Sequence, residues 1–183
     1  MTTIKTAPQS LSTARPWLIR GMLYSVLAAG LLTFWLRYGP YIAANYSSAN
    51  PHAPDLALLA SQSPVIQLHL LAAVGAVLIG ALLMLWRKGR TFHRAGGWIW
   101  VTLMALTAGS SFFIVGLNGD KWSFIHLLSG WTAIVLPLAV WAAHRHNVQR
   151  HRAMMMGLFY GGLLIAGALN FIPGRLMWRM FFG

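Results

Sequence analysis

The sequence predicts an all-α, polytopic membrane protein with about five transmembrane helices. Hydrophobic residues make up 57% of the 183 residues and charged residues only 9%, whereas soluble domains carry about 25% charged residues. The apolar residues fall into runs of about 20, the length that crosses the hydrocarbon core of a bilayer. These runs are Trp17–Leu36, Val65–Trp86, Gly97–Leu117, Ser123–Ala143 and Met154–Ile172.

The charges predict the orientation of these runs in a bacterial inner membrane. Lys and Arg total 14 and Asp and Glu total 2. Most of the basic residues lie in the N-terminal tail, the second-to-third connection and the fourth-to-fifth connection, whereas Asp55 and Asp120 lie in the other connections. The positive-inside rule therefore predicts a cytoplasmic N-terminus and an external C-terminus. Such short clusters set topology and do not form the long basic stripe of a nucleic-acid-binding protein, and the absence of cysteine excludes disulfides and thiolate ligands.

The apolar runs divide the chain into a tail, one separate helix and two helix pairs. We predict a cytoplasmic tail over residues 1–16, a first and uncleaved transmembrane helix over 17–36, and an external loop over 37–64. Residues 65–117 and 118–183 form the two helix pairs. Within the loop, Asp55 is predicted to cap a short interfacial helix that ends at Ala60 and lies as a lid over the outer ends of the helices.

Tryptophans are expected at the two membrane interfaces, where an amphipathic ring meets the headgroups. The predicted inner set is Trp17, Trp86, Trp98, Trp100 and Trp141, and the outer set is Trp35, Trp122 and Trp178. Only Trp131 is predicted to lie well within a span.

An internal repeat relates the two helix pairs. His69-Leu70-Leu71 recurs as His126-Leu127-Leu128, and His93-Arg94-Ala95 recurs as His151-Arg152-Ala153 at a spacing one residue longer. Because each unit is a pair of helices, both copies enter the membrane in the same direction and are related by an axis along its normal. The sequence therefore predicts a four-helix bundle built from a duplicated helix pair, with the N-terminal helix at its periphery.

The repeat arranges four histidines as two facing pairs, His69 with His126 and His93 with His151. Ionisable residues in a membrane span are costly and indicate function. Two opposed imidazoles inside a helical bundle are suitable axial ligands for haem b. Arg94 and Arg152 adjoin the second pair and are candidates to neutralise the haem propionates; Lys121, Arg175 and Arg179 are candidates at the other end. The small residues Gly75, Ala76, Gly80 and Ala81 are expected to leave room beside the second helix.

Other interpretations of the same residues remain open. The histidines could only hydrogen-bond across helices, and His144 and His146 are rival ligands near the second pair. Zinc is disfavoured because two histidines without a nearby carboxylate or thiolate leave a tetrahedral site incomplete. Ser110, Ser111 and Asn170 could line a polar pocket or satisfy backbone groups. The protein would then be a cofactor-free accessory or transport-like subunit, or a module that binds quinone or lipid.

About two thirds of the chain resembles an uncharacterised bacterial membrane family of unknown function, the one numbered 2306. The residues that carry the resemblance are His69, Phe92-His93-Arg94-x-x-Gly97, Ser110-Ser111-Phe112-Phe113-Ile114, His126-Leu127-Leu128, Arg150-His151-Arg152-x-Met154 and Pro173-Gly174-Arg175-Leu176. This resemblance implies a membrane protein and no particular activity.

A more distant similarity is to transmembrane di-haem b-type cytochromes, including the ascorbate-dependent reductases. That family places four histidines on four successive helices and pairs the first with the third and the second with the fourth. His69, His93, His126 and His151 follow the same order, with shorter intervals between them. The similarity implies a small b-type cytochrome that passes electrons between a membrane quinol or small reductant and a redox partner protein.

Overall fold

The computed structural model describes residues 16–47, 49–88, 91–114 and 124–183, and all regular structure in these ranges is helical. Three helical stretches are long and apolar enough to cross a membrane, namely Pro64–Leu85, His126–His144 and Val148–Leu169. The chain divides into two units, Met1–Ala49 and Asn50–Gly183. The predictions made for the tail over residues 1–15 and for Asp120, Lys121 and Trp122 lie outside the described residues.

The first unit contains one long helix, α1, over Pro16–Ser47. It continues past Leu36, the predicted end, and includes Pro40. The ring of Trp35 lies over Gly39, where an added Cβ would come within 3.0 Å of it, and the rings of Phe34 and Tyr38 are 5.1 Å apart. These contacts join residues one helical turn apart, just before the proline. The helix continues past the proline, so the first eleven residues of the predicted external loop, 37–47, are helical.

The second unit begins with a short helix, α2, over Leu56–Ala60. The carboxylate of Asp55 accepts a 2.9 Å hydrogen bond from the backbone N–H of Leu58, which confirms the predicted N-cap. Helix α3 follows over Pro64–Leu85, with Ser63 as its N-cap and Pro64 in the first turn, where its missing N–H costs nothing.

Helix α4 spans Thr91–Ser111 and is displaced towards the N-terminus relative to the predicted Gly97–Leu117. At its end the hydroxyls of Ser110 and Ser111 donate to the carbonyls of Leu106 and Ala108. Tighter turns follow, in which Phe113 N–H donates to the Ser110 carbonyl at 3.0 Å. Serine hydroxyls compete with the helical hydrogen-bonding pattern in this way, and hydropathy alone does not reveal such an end.

Helix α5 spans Phe124–His144, close to the predicted Ser123–Ala143. A tight turn follows, in which His146 adopts a φ of 55° and Asn147 N–H donates to the Ala142 carbonyl at 2.9 Å. The next helical stretch is formed by α6 over Val148–Gly157, a π-helical segment over Leu158–Ile165 and α7 over Ala166–Leu169. Helix α8 completes the chain over Leu176–Phe182.

The long helices of the second unit pack in sequence order, α3 on α4, α4 on α5, and α5 on α6 and the π segment. The π segment also contacts α3. The core between them consists of Ala76, Trp100, Met104, Leu136, Leu158, Phe159 and Leu163.

Two of the tryptophans predicted at the interfaces have side chains that are buried in the protein. Trp100 is 4% exposed, and its indole N–H donates to the Ala76 carbonyl at 3.0 Å. Trp178, on α8, is 6% exposed and stacks on Phe182. The one polar atom of the Trp100 side chain is therefore satisfied by a partner on α3 inside the core and not by headgroups.

The space expected beside Gly80 is occupied by two aromatic side chains. A Cβ built on Gly80 would come within 2.6 Å of the Phe159 ring and 2.7 Å of the Trp100 indole nitrogen. The absence of a side chain at Gly80 therefore lets these two rings pack in the core. No room for a ligand remains at that level.

Backbone hydrogen bonds tie the segment before α3 to the end of the chain. His52 N–H donates to the Phe181 carbonyl and Asp55 N–H to the Met180 carbonyl, each at 3.0 Å. The start of α3 and helix α8 therefore lie at one end of the unit. The α3–α4 and α5–α6 connections lie at the opposite end, which we call the basic end; its residues include Lys88, His93, Arg94, His151 and Arg152.

Candidate functional site

His69 joins α3 to the last turn of α4. Its Nδ1 atom lies 3.0 Å from the Thr107 carbonyl oxygen and 3.1 Å from the Ser110 hydroxyl. A carbonyl oxygen only accepts, so the Nδ1 atom carries the proton in this contact. The neutral imidazole then keeps its lone pair on Nε2.

A second polar contact joins the same turn of α4 to α5. The hydroxyls of Ser111 and Ser129 form a short hydrogen bond, and both side chains are buried. The Ser111 hydroxyl also donates to the Ala108 carbonyl. Ser129 lies one helical turn after His126, whose side chain is only 3% exposed.

Together these contacts form a buried polar region that we call the serine layer. The contacts join His69, Thr107, Ser110, Ser111 and Ser129, and the layer also includes the buried His126 and Thr132, which lie one helical turn before and after Ser129 on α5. The two consecutive serines of α4 therefore form hydrogen bonds with different helices. Ser110 contacts His69 on α3, and Ser111 contacts α5, the helix that carries His126. His69 thus bonds to the turn of α4 whose next serine bonds to α5, the helix that carries His126.

The second predicted pair lies at the basic end. His151 Nδ1 is 2.9 Å from the Ala139 carbonyl oxygen, so it carries the proton and the lone pair is again on Nε2. His93 Nδ1 is buried and has no hydrogen-bond partner among the described residues. An unpartnered buried nitrogen is uncommon and favours a ligand or a bound water at that position.

The charges around His93 indicate which groups are its neighbours. His93 precedes Gly97 and so lies outside the span predicted for this helix. Burial lowers the pKa of His93, and electrostatic interactions with His151 and Lys88 lower it further. The two histidines are therefore close enough to interact electrostatically, and His93 favours the neutral form that binds metals.

The remaining candidates at the basic end are exposed to the surroundings. Arg94 and Arg152 each follow a paired histidine directly and have exposed side chains. His144 and His146 are exposed too; the ring of His144 lies 6.4 Å from that of Trp98, and His146 occupies the tight turn. Both of these rival ligands are exposed, whereas His93 and His151 are half-buried.

No cluster of three or more His, Cys, Asp or Glu side chains suited to a metal ion occurs within the described ranges. A tetrahedral metal site built from such residues is thus not formed there. Axial ligation of haem needs only two imidazoles, so this observation does not bear on it.

Sequence reasoning identified Ser110 and Ser111 but missed Thr107, Ser129 and Thr132. Ser129 was detectable, since a serine three residues after His126 lies on the same helical face. Its partnership with Ser111 was not, because it depends on the rotation of α4 against α5. Asn170, the third predicted polar residue, lies just beyond α7, where its backbone N–H donates to the Gly167 carbonyl.

Comparisons of the chain with protein-family models, with curated proteins and with solved structures found no match. The resemblances to the family numbered 2306 and to di-haem cytochromes stay predictions.

Proposed function

We propose that this protein is a small b-type cytochrome of the bacterial inner membrane that holds haem b between facing histidine pairs. The observation that carries the proposal is the tautomer of two of the four histidines. His69 and His151 each donate the Nδ1 proton to a main-chain carbonyl of another helix. Histidines that ligate metals through Nε2 are held in this way, because the bond orients the ring and makes it more basic.

The packing order supports the proposed pairing. If α3, α4, α5 and the stretch from α6 to α7 form a four-helix bundle in the order of their contacts, α3 is opposite α5 and α4 is opposite α6. His69 and His126 then face each other across one diagonal, and His93 and His151 across the other. In this proposal α1 and the part of α4 that begins at Gly97 belong to the remaining two of five spans, with the basic end in the cytoplasm.

The donor atoms fit haem ligation at two levels of the bundle and not between them. The first level is the serine layer, and the second is the basic end, where the unpartnered Nδ1 of His93 lies near His151. The Trp100 and Phe159 rings fill the level of Gly80 between the two. Arg94 and Arg152 would offer positive charge to haem propionates at the basic end.

Haem, when bound, supplies reversible one-electron chemistry. The side chains of this protein would hold it, set the direction of each imidazole and keep water away. The Thr107 and Ala139 carbonyls fix the His69 and His151 rings, and burial of His126 excludes solvent. A membrane quinol or small reductant would deliver electrons, and a redox partner protein would receive them.

The main competing function is a cofactor-free accessory or transport-like subunit in which the histidines only position helices. The hydrogen bonds from His69 to α4 favour it, since they already satisfy one ring nitrogen without a ligand. A quinone- or lipid-binding module without haem is the third possibility.

An absorption spectrum distinguishes these functions. The protein is purified in detergent from cells supplied with a haem precursor, and oxidised and reduced spectra are subtracted. We expect a b-type difference spectrum; a colourless protein with no extractable haem contradicts the cytochrome.

Variants then test the pairs. We expect His69→Ala and His126→Ala to remove the same spectral component, and His93→Ala and His151→Ala to remove the other. His144→Ala is the matched control, because it removes a histidine that is exposed at the basic end. Loss of different components from the two members of a pair would show that the pairing is wrong. A reporter fused after Gly183 should be active outside the cytoplasm if five spans are present.

A further inference from the structure

A narrow apolar groove runs between α4 and α5. Its volume is about 550 Å³, and its α4 side is formed by Trp98, Val101, Ala105, Ala108, Gly109 and Phe112. Its α5 side is formed by Ala133, Leu136, Pro137, Val140, Trp141 and His144. The groove is open along its side, so a hydrophobic molecule in the surrounding bilayer can enter it laterally.

Small residues create this groove. Ala105, Ala108, Gly109 and Ala133 leave the space between the two helices unfilled, and a Cβ added at Gly109 would meet no atom within 4 Å. From Trp98 to Phe112 the groove follows α4 for about 21 Å, at a rise of about 1.5 Å per residue. It is therefore somewhat longer than one bilayer leaflet, whose hydrocarbon is about 15 Å thick.

The shape and lining of the groove favour an extended, apolar occupant. The groove follows α4 for about 21 Å, is open along its side and is lined almost entirely by apolar side chains. A single hydrocarbon chain has this extended, apolar form.

The polar end of the groove is aromatic and basic. Trp98, Trp141 and His144 line it, and the Arg145 guanidinium lies 5.3 Å from the centre of the Trp141 ring. The described residues of the two connections at this end, 86–88 and 145–147, contain Arg87, Lys88 and Arg145 and no Asp or Glu. This charge is complementary to an anionic headgroup, and tryptophans at this depth suit the headgroup boundary.

We propose that the groove is a binding site for one anionic phospholipid. One acyl chain would lie between α4 and α5, and the phosphate would lie beside Arg145 and His144 at the basic end. The site is separate from the histidine pairs and does not depend on haem. The bound phospholipid would hold α4, the most polar of the long helices in the second unit, against the lipid that surrounds the protein.

The test measures lipid retained by the purified protein. Wild-type protein is incubated in detergent with dioleoyl phosphatidylglycerol or dioleoyl phosphatidylcholine, which share their acyl chains, and bound lipid is counted by native mass spectrometry. We expect preferential retention of one phosphatidylglycerol and a higher melting temperature with it. Equal retention of both lipids would overturn the proposed headgroup site.

Two matched pairs of variants locate the site. Ala133→Phe fills the groove, whereas Ala143→Phe adds the same ring to an exposed position of α5 outside it. We expect Ala133→Phe to weaken binding about tenfold, since several methylene groups can no longer be buried. Arg145→Gln should remove the preference for phosphatidylglycerol, and Arg150→Gln, on the exposed start of α6, should not.

Other occupants give different results. Loss of a dimer in Ala133→Phe with unchanged lipid retention would identify a second copy as the occupant and overturn the proposal. Displacement of phosphatidylglycerol by an uncharged long-chain quinone, with no effect of Arg145→Gln, would also overturn it. If Ala133→Phe does not fold, the wild-type comparison of the two lipids still decides the headgroup, and Arg145→Gln decides its position.

Discussion

The serine layer and the basic end each contain the residues of one predicted histidine pair, but their polar groups are not satisfied in the same way. In the serine layer, His69 bonds to α4, and the buried hydroxyls of Ser111 and Ser129 bond to each other. At the basic end, a buried nitrogen of His93 has no partner among the described residues, and its surroundings are positively charged. The two histidine positions of the repeating helix pair thus lie in different environments.

The difference shows what each region contributes without a ligand. The serine layer holds three helices together through its own hydrogen bonds, so it stabilises the fold by itself. The basic end keeps an unsatisfied donor or acceptor, which lowers stability until something binds there. The following predictions test this contrast, starting with the core that separates the two regions.

The largest effect is expected from Gly80→Ala. The new methyl group would overlap the Phe159 and Trp100 rings, and the Trp100 indole is held by its bond to Ala76. We expect a loss of about 2–3 kcal/mol of unfolding free energy, measured by denaturant titration in detergent micelles. Gly97→Ala is the control, since its Cβ meets nothing within 4 Å, and it should be neutral or stabilising. Equal stability of the two variants would mean that the core side chains do not exclude a methyl group at Gly80.

Leucine substitutions at His69 and His93 should have opposite effects in haem-free protein. His69→Leu removes the bond to the Thr107 carbonyl, and we expect it to cost about 1–2 kcal/mol. His93→Leu removes an unpartnered buried nitrogen, so stability should stay constant or rise by about 1 kcal/mol. The same micellar titration measures both. Destabilisation by both substitutions would remove the proposed difference between the two regions.

The hydrogen bond between Ser111 and Ser129 should appear as a coupling energy in a double-mutant cycle. Ser111→Ala, Ser129→Ala and the double variant are compared, and we expect a coupling of about 0.6–1.5 kcal/mol, the range for polar pairs between membrane helices. Ser61 with Ser129 provides a control pair, since Ser61 bonds to the Leu58 carbonyl before α3. Additive effects at Ser111 and Ser129 would show that this contact does not join α4 to α5.

The smallest effect is expected in the turn between α5 and α6. His146 has a φ of 55°, which glycine adopts without the steric cost that a side chain incurs. His146→Gly should therefore raise the melting temperature and add about 0.5–1 kcal/mol of stability. His144→Gly, inside α5, should lower it. A decrease with His146→Gly would indicate that the imidazole itself stabilises the basic end.

Several features could be predicted from the sequence because they depend on short-range physics. The apolar run of α3 and the start and end of α5 follow from hydropathy, and the Asp55 cap follows from its position before three leucines. The end of α1 at Ser47 did not follow, since Arg37 and Pro40 resemble a stop signal. In that segment the rings of Trp35 and Tyr38 pack against residues one helical turn away.

The sequence by itself determined that the chain carries long apolar helices, that basic residues cluster between them, and that four histidines recur in two matched positions. Only the tertiary structure decided that Trp100 enters the core against Gly80 and that Ser111 bonds to Ser129. Hydropathy and repeats are properties of one segment at a time. The partner of a buried indole or hydroxyl depends on how two helices rotate against each other, and close packing of all their side chains fixes that rotation.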